Sequence, residues 1–152
     1  MNLPHSYHLA IERLTSIDAP VIAAVRGGAG GGGLGLLYTA DIVVAADDTR
    51  FALGYGALGL TADGGNIWFP PRMVGMRRTQ ELLLLNRAAT LAAGPTRAFG
   101  AVRRMLRQSF ETCLSDQLTA EKDSIVAASR TDDAQEGIAA FVAKRRPQFR
   151  GR

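Results

Sequence analysis

An α/β body followed by a helical C-terminal region is the fold class this chain predicts, on three observations. Two short apolar runs rich in β-branched residues, Val21–Val25 and Ile42–Ala46, read as buried strands. Between them lies a glycine-dense stretch, GGAGGGGLG at Gly27–Gly35, of the kind that turns a strand into a helix. From Pro95 onward the apolar residues fall at helical spacing, and strands first with helices last predict this layering.

Taken in order, Leu9, Ile11, Leu14 and Ile17 predict a short helix ending before Pro20. After the first strand and the glycines, LGLLYTA allows two helical turns at most. Asp47 and Asp48 close the second strand as turn residues. Phe51–Leu60 is apolar but broken by glycines, so it reads as loop and short strand. Asp63-Gly64-Gly65 is a turn whose Asp could also cap the next helix. Pro95 suits a first helical position, and Phe99, Val102 and Leu106 mark the buried face behind it, opposite Arg103, Arg104 and Arg107. Leu114, Leu118 and Ile125 predict a second helix. Asp133 with Glu136 resembles a capping box, ahead of an apolar stripe of Ile138, Phe141 and Val142. Helices this apolar, with little sheet to cover, predict packing on another subunit.

Bulk properties exclude several classes. A chain of 152 residues suffices for one domain with a real core. The net charge of +4 is mild and gathers in the tail, at Lys144, Arg145, Arg146, Arg150 and Arg152. No aromatics interleave with these bases, so the run reads as a solvated end rather than a nucleic-acid surface. The single cysteine, Cys113, excludes a disulfide framework. His5 and His8 sit in a polar stretch with no acidic neighbour at ligand spacing, so no metal site is expected there. No apolar run reaches the roughly 18 residues of a membrane span, and MNLPHSYHLAIERL lacks the order of a signal peptide. A cytoplasmic protein is the expectation.

The glycine stretch admits three readings. Gly28, Gly30 and Gly33 satisfy the dinucleotide fingerprint G-x-G-x-x-G, with Asp47 or Asp48 as the acid after the next strand. Against this, too few residues separate Gly33 from Ile42 for a normal helix and its return loop, and no later βαβ units follow. In the second reading the free N–H groups at the helix start face an anionic oxygen, such as a thioester carbonyl becoming an enolate. The third is a tight turn needing glycine for packing alone.

PVIAAVRGGAGGGGLGLLYTADIVVAADDTRFALGYGALGLTADGGNIWFPPRMVG, continuing through MRRTQELLLLNR and again at GIAAFVAKRRPQFRGR, resembles the crotonase, or enoyl-CoA hydratase/isomerase, superfamily. The GL-x-x-D-G-G-x-x-W segment and the AKR-x-PQF ending look most like its ring-1,2-epoxyphenylacetyl-CoA isomerase branch. GGGLG and VGMRR are also similar to 4-chlorobenzoyl-CoA dehalogenases.

The resemblance implies a partial crotonase ββα spiral core over residues 1–93 and a helical trimerisation region over 94–152. It implies an acyl-CoA thioester as substrate, with coenzyme A entering as part of it and no other cofactor or metal. Neither nucleic acid nor membrane is an implied partner; the implied assembly is a homotrimer or dimer of trimers. Carried over residue by residue, Gly32 supplies one of two oxyanion N–H groups, and Gly31 lines the substrate pocket. Phe141 and Lys144 match positions that contact coenzyme A, often from a neighbouring subunit.

The departures are equally informative. The two glutamates of the hydratases fall at Gly35 and Tyr55, so the usual general acid/base hydration has no carboxylates. Tyr55 is left to line the acyl pocket. Asp63, in TADGG, matches the acid that the isomerase branch uses for proton transfer and the nucleophile of the dehalogenases. The tryptophan and histidine that dehalogenases place near Tyr55 and Gly56 are lacking.

Two family pieces find no counterpart. The family's N-terminal strands, which donate the second oxyanion N–H, have none, and LLLLNRAATLAAGPTR runs directly where relatives carry an extra strand. The expectation is therefore an enoyl-CoA isomerase using Gly32 and Asp63. Its alternatives are a hydratase-like member with water held by Asp63, or a catalytically inactive fragment acting in assembly. Weak or no activity is expected if these residues are the whole molecule.

Overall fold

The computed structural model describes residues 3–85 and 95–152, with side chains described from residue 6 onward. The side chain of His5, the middle of the LLLLNRAATLAAGPTR junction and the boundary at residue 93 lie outside the described residues.

Helix α1 (Leu3–Thr15) leads into β1 (Ile22–Val25), and the glycine stretch supplies both β2 (Gly28–Gly30) and the start of α2 (Gly32–Tyr38). Strands β3 (Ile42–Ala45) and β4 (Arg50–Ala52) follow, then a 3₁₀ turn at Tyr55–Leu58. Two short helices, α3 (Phe69–Val74) and α4 (Met76–Gln80), run into a π-helical turn at Glu81–Leu85. The chain closes with α5 (Thr96–Gln108), α6 (Leu114–Ser129) and α7 (Asp132–Val142). Pro95 is the residue before α5 rather than its first residue.

Strand β1 pairs parallel with β3, Ile22 opposite Ile42, and β2 pairs parallel with β4, Gly28 opposite Arg50. That pairing excludes one of the three readings of the glycines and corrects one expectation. First, Gly28 and Gly30 are strand residues, so the dinucleotide turn does not form; α2, only seven residues long, also falls short of that motif's helix. Second, β1 and β3 are not buried strands. Each sheet has two strands among the described residues, and Ile22, Val43 and Val44 remain exposed. A continuous apolar run signals burial on both faces, but here no described element covers the open one.

Two cores join the N-terminal and C-terminal elements. Leu34, Leu53, Ala62, Ile67 and Leu83 pack with Val102, Met105 and Leu106 of α5. Ile11 of α1, Phe69 of α3 and Leu118 of α6 form the second. Leu106 and Leu118 are fully buried, and each contributes about 1.5–3 kcal/mol by that burial. The segment Ala62–Ile67 threads between the two cores and carries Asp63 with it. Trp68 and Phe69 are packing residues, their rings edge to face with centroids 4.8 Å apart. The Arg72 guanidinium lies 4.0 Å from the Trp68 ring centroid and donates to the Trp68 and Ser109 carbonyls, tying α3 to the end of α5.

Helix α7 departs from its predicted pattern at both ends. Its N-cap is Thr131, whose hydroxyl accepts from the Ala134 N–H at 3.2 Å, so Asp133 and Glu136 form no capping box. The buried stripe is Ala134, Gly137 and Ala140, not Ile138, Phe141 and Val142, which are exposed. Small residues win because the helix lies directly on the Tyr55–Leu58 turn, where a Cβ on Gly137 would collide with the Leu58 backbone.

The basic tail is exposed but not a free end. The Arg150 and Gly151 N–H groups donate to the Asp133 carboxylate at 2.6 and 2.8 Å. Arg145 and the Gln148 N–H donate to Glu136, holding its carboxyl down at about 2. Among the described residues, no helix is long and apolar enough to cross a membrane.

Candidate active site

Glycine is required where the chain leaves β2 for α2. Gly31 adopts φ 52° and ψ −122°, a region open to few residues other than glycine. Its N–H donates to the Ala52 carbonyl at 3.0 Å, and its carbonyl accepts from Leu34 N–H at 3.1 Å. The N–H groups of Gly32 and Gly33, at the first turn of α2, donate to no described residue. They are the orphan donors that every helix start leaves.

The second segment is the turn after Ala62. Gly64 and Gly65 both take positive φ, 67° and 80°, which lets the chain reverse beside Tyr7 and Phe69. Asp63 caps no helix: α3 starts at Phe69, with Trp68 before it and no side-chain cap. Its carboxylate Oδ1 instead lies 2.6 Å from His8 Nε2. The Asp63 side chain is 13 % exposed and that of His8 8 %. Oδ2 takes part in no hydrogen bond with a described residue.

One carboxamide joins the two segments. Asn66 Nδ2 donates to the Asp63 carbonyl at 2.6 Å and to the Gly31 carbonyl at 3.3 Å. Two tyrosines complete the enclosure. The Tyr7 hydroxyl donates to the Gly32 carbonyl, and the Tyr55 hydroxyl donates to the Asp63 carbonyl at 3.3 Å. Burial pushes both phenols upward, and the Asp63 charge adds to it, so both remain protonated donors.

Beneath the turn, Glu121 of α6 is fully buried. Its Oε2 accepts from Gly65 N–H at 2.7 Å and its Oε1 from Ile67 N–H at 3.1 Å. Burial pushes its carboxyl up to about 8, although both N–H donors pull it down.

Of the residues singled out from the sequence, Gly31, Gly32, Tyr55 and Asp63 come together. Phe141 and Lys144 lie apart from this cluster, exposed at the end of α7, where Lys144 takes φ 53°. Tyr7, His8, Asn66 and Glu121 were not anticipated. The signal for the first two was Ile11: residues three and four positions before a buried helical residue share its face. Glu121 likewise follows Leu118 by three positions, which puts a carboxylate in an apolar stripe. An apolar groove of about 610 Å³ between α2, β3, β4 and α3, lined by Leu34, Leu37, Val43, Phe51, Leu53 and Met73, includes none of these residues.

Gly35 is closed to any side chain, since a Cβ would collide with the Gly64 carbonyl and the Tyr7 hydroxyl. Alanine would gain about 1 kcal/mol of helix propensity, but overpacking against backbone costs about 1–3 kcal/mol, so the clash wins. Gly35→Ala is therefore expected to lower the thermal midpoint, and Gly35→Glu to lower it further; differential scanning fluorimetry checks both.

Among the described residues, N–H groups of a glycine turn without acceptors thus lie beside a largely buried carboxylate with one oxygen not hydrogen-bonded, groups that can respectively receive an anionic oxygen and exchange a proton. The enoyl-CoA hydratase/isomerase family model matches residues 4–90. The chain belongs to this family.

Two relatives extend over essentially the whole chain. It is 32% identical to the 1,2-epoxyphenylacetyl-CoA isomerase of Escherichia coli (strain K12), covering 100% of this chain and 69% of the relative. That alignment runs over 181 positions against 152 residues here, so the relative carries internal residues without a counterpart. It is also 32% identical to a probable enoyl-CoA hydratase of Rhodobacter capsulatus, over 99% of this chain and 70% of that protein. Among solved structures, an enoyl-CoA hydratase from Mycobacterium avium subsp. paratuberculosis K-10 superposes with a TM-score of 0.76 at 23% identity, covering 97% of this chain and 72% of that one. The fold is thus a partial crotonase α/β fold.

Proposed function

We propose that this chain handles an acyl-CoA thioester and shifts the double bond of an enoyl-CoA. The Gly32 N–H receives the thioester carbonyl as it becomes an enolate. Asp63 Oδ2 takes a proton from the carbon next to the carbonyl, the electron pair moves into the conjugated enolate, and the same oxygen returns that proton at the far end of the allylic system. The carboxylate is regenerated and no water is consumed, so one acid suffices. No resident metal or redox group is called for, and coenzyme A enters as part of the substrate.

The observation that carries this reading is the Asn66 bridge, which sets the Gly31–Gly32 turn and Asp63 side by side. Proteins of the family include both an isomerase and a probable hydratase at equal identity. Isomerisation is favoured because the two positions where hydratases carry glutamate are Gly35, which has no room for a side chain, and Tyr55, a neutral phenol. The exposed Ile138, Phe141 and Val142 on α7 suit packing against a neighbouring subunit, with Lys144 facing a coenzyme A phosphate from there.

The test is to give the purified chain a β,γ-enoyl-CoA and follow the ultraviolet absorbance of the conjugated α,β-isomer. Appearance of that band, lost on heat denaturation, supports the reading. Coenzyme A ester binding with no turnover favours the inactive assembly fragment instead.

A further inference from the structure

We propose that His8 is the positioning residue of the Asp63 carboxylate, pinning Oδ1 so that Oδ2 alone carries the proton between substrate carbons. This rests on the isomerase reading and deepens it. A carboxylate that is to take a proton can only accept, so the isomerase reading requires the ring nitrogen 2.6 Å from Oδ1 to be the donor, with its hydrogen on Nε2. The other groups around Asp63 are otherwise engaged. The Tyr7 hydroxyl donates to Gly32, the Tyr55 hydroxyl to the Asp63 backbone carbonyl, and Glu121 is hydrogen-bonded to the Gly65 and Ile67 N–H groups, not to Asp63. Among the described residues, His8 is therefore the one donor to this carboxylate.

Pinning matters because the reaction asks one oxygen to serve two carbons. A carboxylate free to rotate about its last bond would present either oxygen at either carbon. With Oδ1 held by buried His8, the other oxygen is left without a hydrogen bond among the described residues. Helix α1 makes the hold rigid: Tyr7, the preceding residue, locks onto Gly32, so one helix fixes both the acid and the oxyanion turn.

The test uses His8→Leu and His8→Gln in the full chain, with kcat and KM for a β,γ-enoyl-CoA and nitrogen NMR of the His8 ring. The expected result for His8→Leu is a fall in kcat on the order of 10–100-fold at unchanged KM, as for misplacement of a reacting group. His8→Gln, which offers an N–H near the same place, recovers most of it. The wild-type ring carries its proton on Nε2, and that preference disappears in Asp63→Leu. An unchanged kcat in His8→Leu, a change confined to KM, or glutamine behaving as leucine does would each overturn the inference. If His8→Leu does not fold, the wild-type spectrum decides: a proton on Nδ1 with Nε2 bare contradicts it. A wild-type chain that converts no β,γ-enoyl-CoA overturns the isomerase reading and this role with it. An active wild type beside an equally active His8→Leu overturns this inference alone.

Discussion

Asp63→Asn is expected to lower kcat for allylic isomerisation by on the order of 10²–10⁴-fold, the range for removing a general acid/base. Asparagine matches aspartate in shape, and its carbonyl oxygen can still accept from His8, which holds Oδ1 at 2.6 Å in the native chain. The turn and its Asn66 bridge are made by backbone carbonyls and are untouched. What disappears is the basic oxygen. KM should therefore change little, and the thermal midpoint should stay near that of the wild type. Steady-state kinetics beside a melting curve separate this loss of chemistry from a loss of fold. Retention of full kcat would remove Asp63 from the proton path.

The largest stability effect is expected at Glu121. Its carboxyl holds its proton to about pH 8 in the folded protein, against 4.5 ordinarily, because burial outweighs the two N–H donors. Between those values the folded chain binds more protons than the unfolded one, so stability falls as pH rises. The contribution is fully present below about pH 4.5 and lost by about pH 8. At about 1.4 kcal/mol per pH step of one, this amounts to on the order of 5 kcal/mol across the window. Glu121→Gln removes the titration. Its amide oxygen keeps one N–H partner while its NH₂ group faces the other, costing about 1–3 kcal/mol. Urea unfolding at several pH values should give a falling curve for wild type and a flatter one for Glu121→Gln, lower on the acid side. Parallel curves would contradict the assignment.

Residues that act through local conformation were legible in the sequence. The glycine stretch announced a turn into a short helix, and the structure places Gly31 at a φ and ψ that favour glycine, with α2 just after it. Asp63-Gly64-Gly65 announced a turn, and both glycines take positive φ. Long-range partners were not legible. His8 meets Asp63 across 55 residues, and Glu121 meets Gly65 across 56. Nothing local marks such pairs; a histidine without a nearby acid reads as surface until α1 is docked. Strand burial failed for a related reason. The apolar content of β1 and β3 specifies that their faces suit burial, not which element does the covering.

If Asp63 moves a proton and no water is added, the oxygen content of the substrate stays fixed through the reaction. Mass spectrometry of the product formed from a β,γ-enoyl-CoA in heavy-oxygen water reads this out. The expected product is a conjugated isomer of unchanged mass, with no label. A hydroxyacyl-CoA carrying the heavy oxygen would contradict the proton-shift mechanism.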